Sequence, residues 1–411
     1  MKKFTADFET ATWLEDETYV WAWATCEIGN EENLQLGNNM DTFIDYCLAQ
    51  NNSTFYFHNA KFDCEFIIAW AFEHGFRHVE SIQEAEDMTF TSLISDMGQF
   101  YTMTLYFKKH GKHVQKITFI DSLKIIPFSV DAIAKSFNLT ISKLKIDYNE
   151  VREKGHILTI EEKDYIKNDV LIVAKALNFL FNEGLTKMTQ GSNALHNYKE
   201  ILKKSRFEHF FPALDSILDN DLRKAYRGGF TYLNPIYKEK EVGAGSVLDV
   251  NSLYPSVMRT ALLPFGDPVF YDGKYKEDKV YPLYIQMITC CFKVKKDKIP
   301  TIQLKKNLSF LPNEYIENSG INPITLTLTN IDLQLFLEHY DTYDLQYECG
   351  WKFKGITGLF DKYIDKWVEV KNKATLEGNK GMRTLAKLML NSLYGKFATK
   401  LTAKSKVPYM R

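Results

Sequence analysis

The sequence lacks any apolar run that approaches the roughly 18 residues of a membrane-spanning helix. It also lacks the apolar core of a secretory signal peptide, because Met1-Lys-Lys-Phe-Thr-Ala-Asp7 enters a charged segment at once. Cysteine is scarce, and its six residues show none of the paired spacings of zinc sites or small disulfide frameworks. We therefore expect a soluble, cytoplasmic protein whose cysteines are mostly buried thiols. These are Cys26, Cys47, Cys64, Cys290, Cys291 and Cys349.

Acidic residues are absent after Glu377, and the stretch from Lys396 to Arg411 carries five basic residues. The first 100 residues hold 18 acidic and 4 basic side chains, whereas the remainder holds 34 acidic and 47 basic side chains. An acidic N-terminal part suits a divalent-cation site, and a basic remainder suits a polyanion such as nucleic acid. Ordinary drift of surface charge is the alternative explanation.

The length of 411 residues, 45% of them hydrophobic, allows two or three domains. Up to about residue 185, short β-rich runs alternate with helical patterns, which predicts a layered α/β domain that ends near Gly184. Residues 261–350 are rich in Pro, Tyr and Thr and predict a β-rich module. Residues 369–397 predict a helical hairpin.

Four carboxylates form the first set of candidate functional residues. Asp7 and Glu9 are two positions apart and would lie on one face of a strand, although an exposed strand face explains that pair as well. Asp63 stands at the start of a predicted helix, and Asp169 lies four residues after Tyr165, on the same helical face. Together the carboxylates could hold two hard divalent cations, and Tyr165 could orient an attacking water. This combination predicts phosphodiester hydrolysis.

A second set begins with Asp249, which follows the short apolar run Gly245-Ser-Val-Leu. We expect that run to be a strand whose end presents a metal-binding carboxylate. The turn after it exposes backbone amides and the aromatic ring of Tyr254.

Lys387, Asn391 and Tyr394 complete this second set at positions i, i+4 and i+7 of a predicted helix. That spacing places a cation, an amide and an aromatic ring along one stripe, where they could meet triphosphate, sugar and base. Lys371 could add a cation from the other arm of the hairpin. A solvated lysine face is the alternative.

The order of these residues resembles that of family B DNA polymerases. The segments around Asp7, Asp63 and Asp169 are similar to the three exonuclease motifs of that family, whose proofreading domain has a ribonuclease H-like fold. The segments around Asp249 and Lys387 are similar to its polymerase site. Across nearly the whole chain, the order looks like that of the protein-primed branch, the small replicases of tailed phages and linear plasmids.

The resemblance implies a role for each matching residue. Metal-binding and catalytic carboxylates would be Asp7, Glu9, Asp63, Asp169 and Asp249, and further catalytic residues would be Tyr165 and Lys143. Nucleotide-binding residues would be Tyr254, as a steric gate against a 2′-hydroxyl, with Lys371, Lys387, Asn391 and Tyr394. DNA-binding residues would be Thr10, His58, Asn59, Phe62, Ser122 and Leu123, with Tyr226, Gly228 and Gly229 in the Tyr226-Arg-Gly-Gly229 loop. Each metal site would use two Mg²⁺ or Mn²⁺ ions.

The resemblance further implies a multidomain chain of mixed α/β and α+β class. Its parts would be a ribonuclease H-like 3′–5′ exonuclease domain at 1–188, a partial palm at 189–260, a β-rich insertion specific to protein-primed polymerases at 261–358, helical-hairpin fingers at 359–397 and the start of a second insertion at 398–411.

Members of the branch continue to a Tyr-x-Asp-Thr-Asp hairpin, which bears the other palm carboxylates, and then to a thumb. This sequence shows neither. The segment Tyr340-Asp-Thr-Tyr-Asp344 superficially resembles the hairpin, but it precedes the Lys387 segment and is therefore in the wrong order. Two-metal phosphoryl transfer normally uses more than one carboxylate. We therefore expect an N-terminal portion of the enzyme that is exonucleolytic on its own, whether it is a fragment, half of a split gene or a natural truncation.

The leading hypothesis is a DNA-directed DNA polymerase of the protein-primed type, with a 3′–5′ proofreading exonuclease, that acts in viral or plasmid DNA replication. Its expected partners are primer-template DNA, a single-stranded 3′ end, dNTP, a terminal priming protein and, for a split gene, a second chain with the missing palm and thumb. No membrane partner is expected, and the location would be the bacterial host cytoplasm if a phage encodes the chain. Two alternatives stay open: a DNA- and nucleotide-binding subunit without synthetic activity, and a stand-alone exonuclease for single strands.

Overall fold

The computed structural model describes residues 2–13, 17–108, 114–250, 252–303, 315–400 and 405–409. The chain divides into two compact units. The first unit contains Met1–Asn197 and Lys366–Arg411, and the second unit contains Tyr198–Asp365.

An eight-stranded sheet forms the centre of the first unit. Its strands are β1 (Lys3–Thr10), β2 (Val20–Glu27), β3 (Asn30–Gly37), β4 (Thr54–Phe57), β5 (Arg77–His78), β6 (Thr89–Ile94), β7 (Phe100–Lys108) and β8 (Val114–Asp121). Hydrogen bonds order them β3-β2-β1-β4-β8-β7-β6-β5. Because β1, β4 and β8 pair in parallel, their carboxyl ends meet at one edge of the sheet.

Helices cover both faces of this sheet. They are α1 (Met40–Ala49), α2 (Lys61–Glu73) and α4 (Ile160–Asn182), whereas α3 (Val130–Ser136) packs against α4, and α5 (Gln190–Leu202) continues into the second unit. One face packs fully buried phenylalanines such as Phe4, Phe55 and Phe57 against α1 and α2. The other face packs Trp21 of β2 against Ile166 of α4. Burial on both faces explains why β2 is a continuous apolar run.

The start of α4 is set by a capping box. The Thr159 hydroxyl accepts the Glu162 N–H, and the Glu162 carboxylate accepts the Thr159 N–H. With its first turn held in this way, α4 carries Tyr165 and Asp169 on its buried side, next to the sheet.

The second unit is built on a four-stranded antiparallel sheet. It contains helices α6 (Lys204–Phe210), α7 (Ser216–Ala225), α8 (Leu253–Thr260) and α9 (Asn330–His339), and strands β9 (Leu263–Asp272), β10 (Leu283–Val294), β11 (Ile324–Thr329) and β12 (Tyr340–Ile356). The strand order is β11-β10-β12-β9, and Phe292, Phe336 and Tyr340 are buried in its core. The prediction of a β-rich module is confirmed. The bounds of the individual domains stay predictions.

The predicted helical hairpin is also confirmed. It consists of α10 (Asp361–Leu376), which begins in the second unit, and α11 (Lys380–Phe397), which lies in the first. Gly378 in the connecting turn has a φ of 68°, a left-handed conformation that favours glycine. Within the first unit, the Thr384 hydroxyl donates to the Ser136 carbonyl at 3.3 Å, so that α11 packs beside α3.

The strand predicted before Asp249 is wrong. Residues 226–250 contain the short 3-10 turn Pro235–Tyr237 and no strand, and the side chains of Val247 and Leu248 are 99% and 92% exposed. A strand needs a neighbour for its backbone hydrogen bonds, and no described segment pairs with this one. The apolar run therefore remains an irregular, solvent-exposed segment.

All six cysteines are free thiols, as predicted, and four of them are buried, whereas Cys291 and Cys349 are half-buried. No helix in the described part of the chain is long and apolar enough to cross a membrane.

Candidate active site

Four carboxylates come together at the carboxyl end of β1. Asp7 and Glu9 face one cavity from that strand, and Glu9 is only 8% exposed. Asp63 lies in the first turn of α2, where its Oδ1 accepts the Phe8 N–H at 3.2 Å. Asp169 reaches the same cavity from α4 and is 4% exposed. The alternative of an exposed strand face is thus excluded.

The cavity between these side chains has a volume of about 240 Å³. Its polar lining residues are Asp7, Glu9, His58, Lys143, Tyr148, Tyr165 and Asp169. Asp63 does not line it directly and stands behind Asp7 and Phe8. The Lys143 ammonium lies 2.6 Å from Asp169 Oδ2, and the Tyr165 hydroxyl lies 2.5 Å from the Tyr148 hydroxyl. The structure therefore brings the predicted Lys143 and Tyr165 to the four carboxylates.

Burial and mutual repulsion raise the pKa of these carboxyl groups. Asp7 is half-buried because it faces the cavity, but protein surrounds its carboxyl group. Burial raises the pKa of Asp7 well above the ordinary value, and the charges of Asp63, Glu9 and Asp169 raise it further. Burial and then Asp169 raise the pKa of Glu9 to about 8. Burial raises the pKa of Asp63 to about 7. Burial also raises the pKa of Asp169, although Lys143 lowers it in part. Protons or cations must relieve this repulsion.

The donor set suits hard divalent cations, which take oxygen ligands. Asp169 Oδ1 is buried and has no hydrogen-bond partner among the described residues, so it can accept a further ligand. In the same part of the chain, no three His, Cys, Asp or Glu side chains already stand close enough to hold an ion. Lys143 neutralises Asp169 instead. The carboxylates fit cations by their chemistry, and side chains must turn when an ion binds.

The residues predicted to hold a 3′ end lie where β4 and β8 end. His58 Nδ1 is 3.0 Å from Ser122 Oγ, and Ser122 Oγ donates to the Phe57 carbonyl at 2.9 Å. Asn59 has a φ of 74°, which turns the chain sharply before α2. Phe62 is 64% exposed, so its ring is open to stacking with an unpaired base.

Thr10, at the end of β1, and Leu123, in the 3-10 turn that follows β8, complete this set. Asp121 joins the two segments and is not among the sequence predictions. It is 1% exposed, and its Oδ1 accepts the N–H groups of Asn59 at 3.0 Å and Leu123 at 2.9 Å. Its position directly before Ser122 is the signal in the sequence.

Tyr148 is a second residue that the sequence predictions lack. It lies in the same irregular segment as Lys143, is 51% exposed and contacts Tyr165. The Thr12 hydroxyl donates to its carbonyl at 3.3 Å. An aromatic residue five positions after a candidate catalytic lysine is a weak signal by itself.

Comparison with known proteins points to the same family as the motifs. The profile described as DNA polymerase type B, organellar and viral, matches residues 44–160 and 152–411. The DNA polymerase of Bacillus phage Nf is 48% identical over 410 residues, which cover 100% of this chain and 70% of that protein. The chain belongs to the viral and organellar type B DNA polymerases.

Other type B DNA polymerases agree with this assignment. The DNA polymerase of Bacillus phage phi29 is 45% identical over 410 residues, with 100% of this chain and 70% of that protein covered. Solved structures of Phi29 DNA polymerase match with a TM-score of 0.93 at 44% identity for the orthorhombic crystal form and 0.92 at 43% identity for the complex with single-stranded DNA. Each match covers 100% of this chain and 70% of the other. The predicted family and mixed α/β fold are confirmed.

The residues predicted for the type B polymerase site fall in both compact units. In the second unit, Asp249 lies in the exposed segment described above, and Tyr254, in the first turn of α8, is 45% exposed. A Cβ added to Gly229 would lie 3.8 Å from the Tyr254 hydroxyl, so the Tyr226 loop lies beside Tyr254. Neither Gly228 nor Gly229 has a positive φ, and a Cβ at Gly228 would meet no atom within 4 Å, so the described structure shows no steric requirement for glycine at these two positions.

In the first unit, α11 carries the other polymerase residues. Lys387, Asn391 and Tyr394 are exposed along one side, whereas Met389 and Leu393 are buried on the other. The predicted stripe is therefore confirmed as one accessible helical face. Lys371 lies on α10 and is partly exposed.

Proposed function

We propose that the Asp7 pocket hydrolyses the terminal phosphodiester bond at the 3′ end of single-stranded DNA, as the proofreading activity of a protein-primed type B DNA polymerase. The observation that supports this function is the gathering of four carboxyl groups with raised pKa values, three of which, Asp7, Glu9 and Asp169, line one cavity. Like charges held together in this way destabilise a fold, and such arrangements are typical of functional sites.

The carboxylates suit the binding of two divalent cations, Mg²⁺ or Mn²⁺. The ligands would be Asp7, Glu9, Asp63 and Asp169. When bound, the cations would activate the attacking water and neutralise charge on the leaving 3′ oxygen.

The other polar residues of the pocket have roles that follow from their contacts. The Tyr165 hydroxyl, hydrogen-bonded to Tyr148, orients the attacking water. Lys143 is bonded to Asp169 in this structure, and its ammonium can pass to the scissile phosphate when that carboxylate binds a cation instead. Phe62 stacks with the terminal base, and Asn59 and Ser122 hold the strand beside it.

The decisive experiment follows digestion of a 5′-labelled single-stranded oligonucleotide with Mg²⁺ or Mn²⁺ present. The chain should shorten the oligonucleotide from its 3′ end, and Asp7→Ala combined with Asp63→Ala should abolish this. Glu86→Ala, at an exposed ion pair in the same unit, is the control and should retain full activity. Continued digestion by the pure double variant would refute the proposed site.

We further infer that DNA synthesis requires palm carboxylates in addition to Asp249, supplied by a further segment or a second chain. The exposed run Gly245–Val250, which has no strand partner among the described residues, supports this inference. One Phi29 DNA polymerase structure holds primer-template DNA and incoming nucleotide substrates. By this likeness we propose the same partners for this chain, with a terminal protein as primer, in the cytoplasm of a bacterial host.

Primer extension with dNTP tests this second inference. The isolated chain should bind primer-template DNA and dNTP through the Lys387 face without extending the primer. Extension should begin when a chain with the missing carboxylates is mixed in and binds. Robust incorporation by the isolated chain would show that Asp249 already has a partner.

A further inference from the structure

The segment that joins α3 to α4, residues 137–159, contains neither helix nor strand. This segment, the connecting loop, carries Lys143 and Tyr148 into the pocket, where they contact Asp169 and Tyr165 of α4. A loop of this length has many available conformations. Something must therefore fix it for these two side chains to keep their places.

Arg152 provides contacts that can do so. The residue is only 2% exposed. Its Nη1 donates to the carbonyls of Asp147 and Glu150, both at 2.9 Å, and its Nη2 donates to the Glu150 carboxylate at 2.9 Å. The guanidinium carbon lies 4.7 Å from the ring centre of Trp21 in β2. These contacts fold the loop backbone on both sides of Tyr148 around one side chain.

The same guanidinium reaches α4 through Glu162. Arg152 Nε donates to Glu162 Oε1 at 2.5 Å, and Glu162 is 6% exposed. Glu162 Oε2 accepts the Thr159 N–H at 2.9 Å and lies 2.8 Å from His156 Nε2. The Glu162 carboxylate therefore caps the helix that bears Asp169 and also accepts a hydrogen bond from Arg152 of the connecting loop.

We propose that Arg152 is a positioning residue that fastens the connecting loop to α4 and so aligns Lys143 and Tyr148 with the hydrolytic pocket. This inference rests on the proposed exonuclease function. Arg152 itself does not line the cavity. Its charge also acts on Glu9 from outside the cavity and lowers the pKa of that carboxyl group, so the positioning role is tested with a variant that keeps the charge.

If Arg152 and Glu162 formed a purely structural ion pair, removal of both charges together should leave kcat unchanged. Removal of one partner leaves an uncompensated buried charge, whereas replacement of both is often neutral for stability. Arg152→Met combined with Glu162→Gln removes both charges, and Gln still accepts the Thr159 N–H. The carbonyls of Asp147 and Glu150 nevertheless lose their donor. Stability and alignment are thereby separated.

The test measures the melting temperature and the hydrolysis of two substrates with saturating Mn²⁺. One is the nitrophenyl ester of thymidine 5′-monophosphate, which needs only the pocket, and the other is a single-stranded oligonucleotide. The paired variant should remain folded with a cooperative melting transition, and its kcat on both substrates should fall about 10- to 100-fold because reacting groups are misplaced. KM for the oligonucleotide should change little, since Phe62, Asn59 and Ser122 lie outside the loop.

Arg152→Lys is the second variant, because it keeps a charge opposite Glu162 but cannot reach both carbonyls. It should fold and also lose kcat. The matched control is Arg77→Met with Glu86→Gln, which removes an ion pair whose side chains are 64% and 69% exposed, and it should retain wild-type kcat.

Wild-type kcat in the folded paired variant or in Arg152→Lys would overturn the inference, as would a loss confined to KM. Failure of the wild-type chain to hydrolyse either substrate would instead refute the proposed function itself, so the two failures are distinguishable.

Discussion

The Asp7 pocket and the Asp249 segment each offer a carboxylate for divalent cations, but their surroundings differ. Glu9, Asp63 and Asp169 around Asp7 are each less than 10% exposed and arrive from β1, α2 and α4 of one compact unit. Asp249 lies in an irregular segment whose apolar neighbours Val247 and Leu248 are almost fully exposed. A carboxylate can serve in a cation site only when the fold brings other ligands towards it, and among the described residues the fold gathers carboxylates around Asp7 and not around Asp249.

The largest expected effect compares the two regions directly. Asp7→Asn should lower 3′–5′ hydrolysis by about 10³-fold, because a cation ligand that stabilises transition-state charge contributes several kcal/mol. Asp249→Asn should leave that activity unchanged. Single-turnover digestion of a labelled oligonucleotide measures both variants. Equal losses in the two variants would mean that the two regions form one catalytic site.

The next effect concerns stability. Phe57→Ala empties a fully buried position in the core beneath the pocket and should lower the free energy of unfolding by about 3–5 kcal/mol. Leu248→Ala should cost less than about 0.5 kcal/mol, since that side chain is 92% exposed. Urea unfolding followed by circular dichroism compares the two. A large loss from Leu248→Ala would show that the segment is buried in solution.

This contrast also explains what could be predicted from the sequence. The convergence of Asp7, Glu9 and Asp169 could be predicted, because strand and helix periodicity determine which side chains share a face and the order of motifs matches a known family. The strand before Asp249 could not be judged in this way. A strand depends on a distant hydrogen-bonding neighbour, and an apolar run does not reveal whether that neighbour is present.

Asp121 and Arg152 were beyond reach for a related reason. Both hold together segments that are far apart in the chain or irregular in structure, and neither has a periodic pattern. Asp121 links Asn59 to Leu123, and Arg152 links the connecting loop to α4. Both bond backbone groups, which are identical for every residue type, so the sequence pattern does not reveal which segments they join.

A third, smaller effect concerns how the ionised Glu162 carboxylate contributes to the stability of the fold. Burial alone raises its pKa, but Arg152, the Thr159 N–H and His156 outweigh burial and lower the pKa to about 2 from an ordinary 4.5. The carboxylate thus stabilises the fold above pH 4.5, and this contribution, about 3 kcal/mol, is lost as pH falls through 2. Glu162→Gln should flatten the acid limb of stability against pH. Glu161→Gln, at the exposed neighbouring position, should keep the wild-type curve.

The smallest expected effect is stabilisation by cations, and it depends on pH. The raised pKa values of about 8 for Glu9 and about 7 for Asp63 keep these groups largely protonated at pH 6. The cation-free fold loses stability as pH rises from the ordinary carboxyl range towards 8, because the folded chain keeps these protons while the unfolded chain releases them. Mn²⁺ at about 100 times its Kd should add about 2.7 kcal/mol to the free energy of unfolding. Because protons compete with Mn²⁺ for the carboxylates, the gain in melting temperature should be greater at pH 8 than at pH 6. Asp7→Asn should lose most of this gain and Asp249→Asn none of it; the reverse result would place the cations at the second region rather than the first.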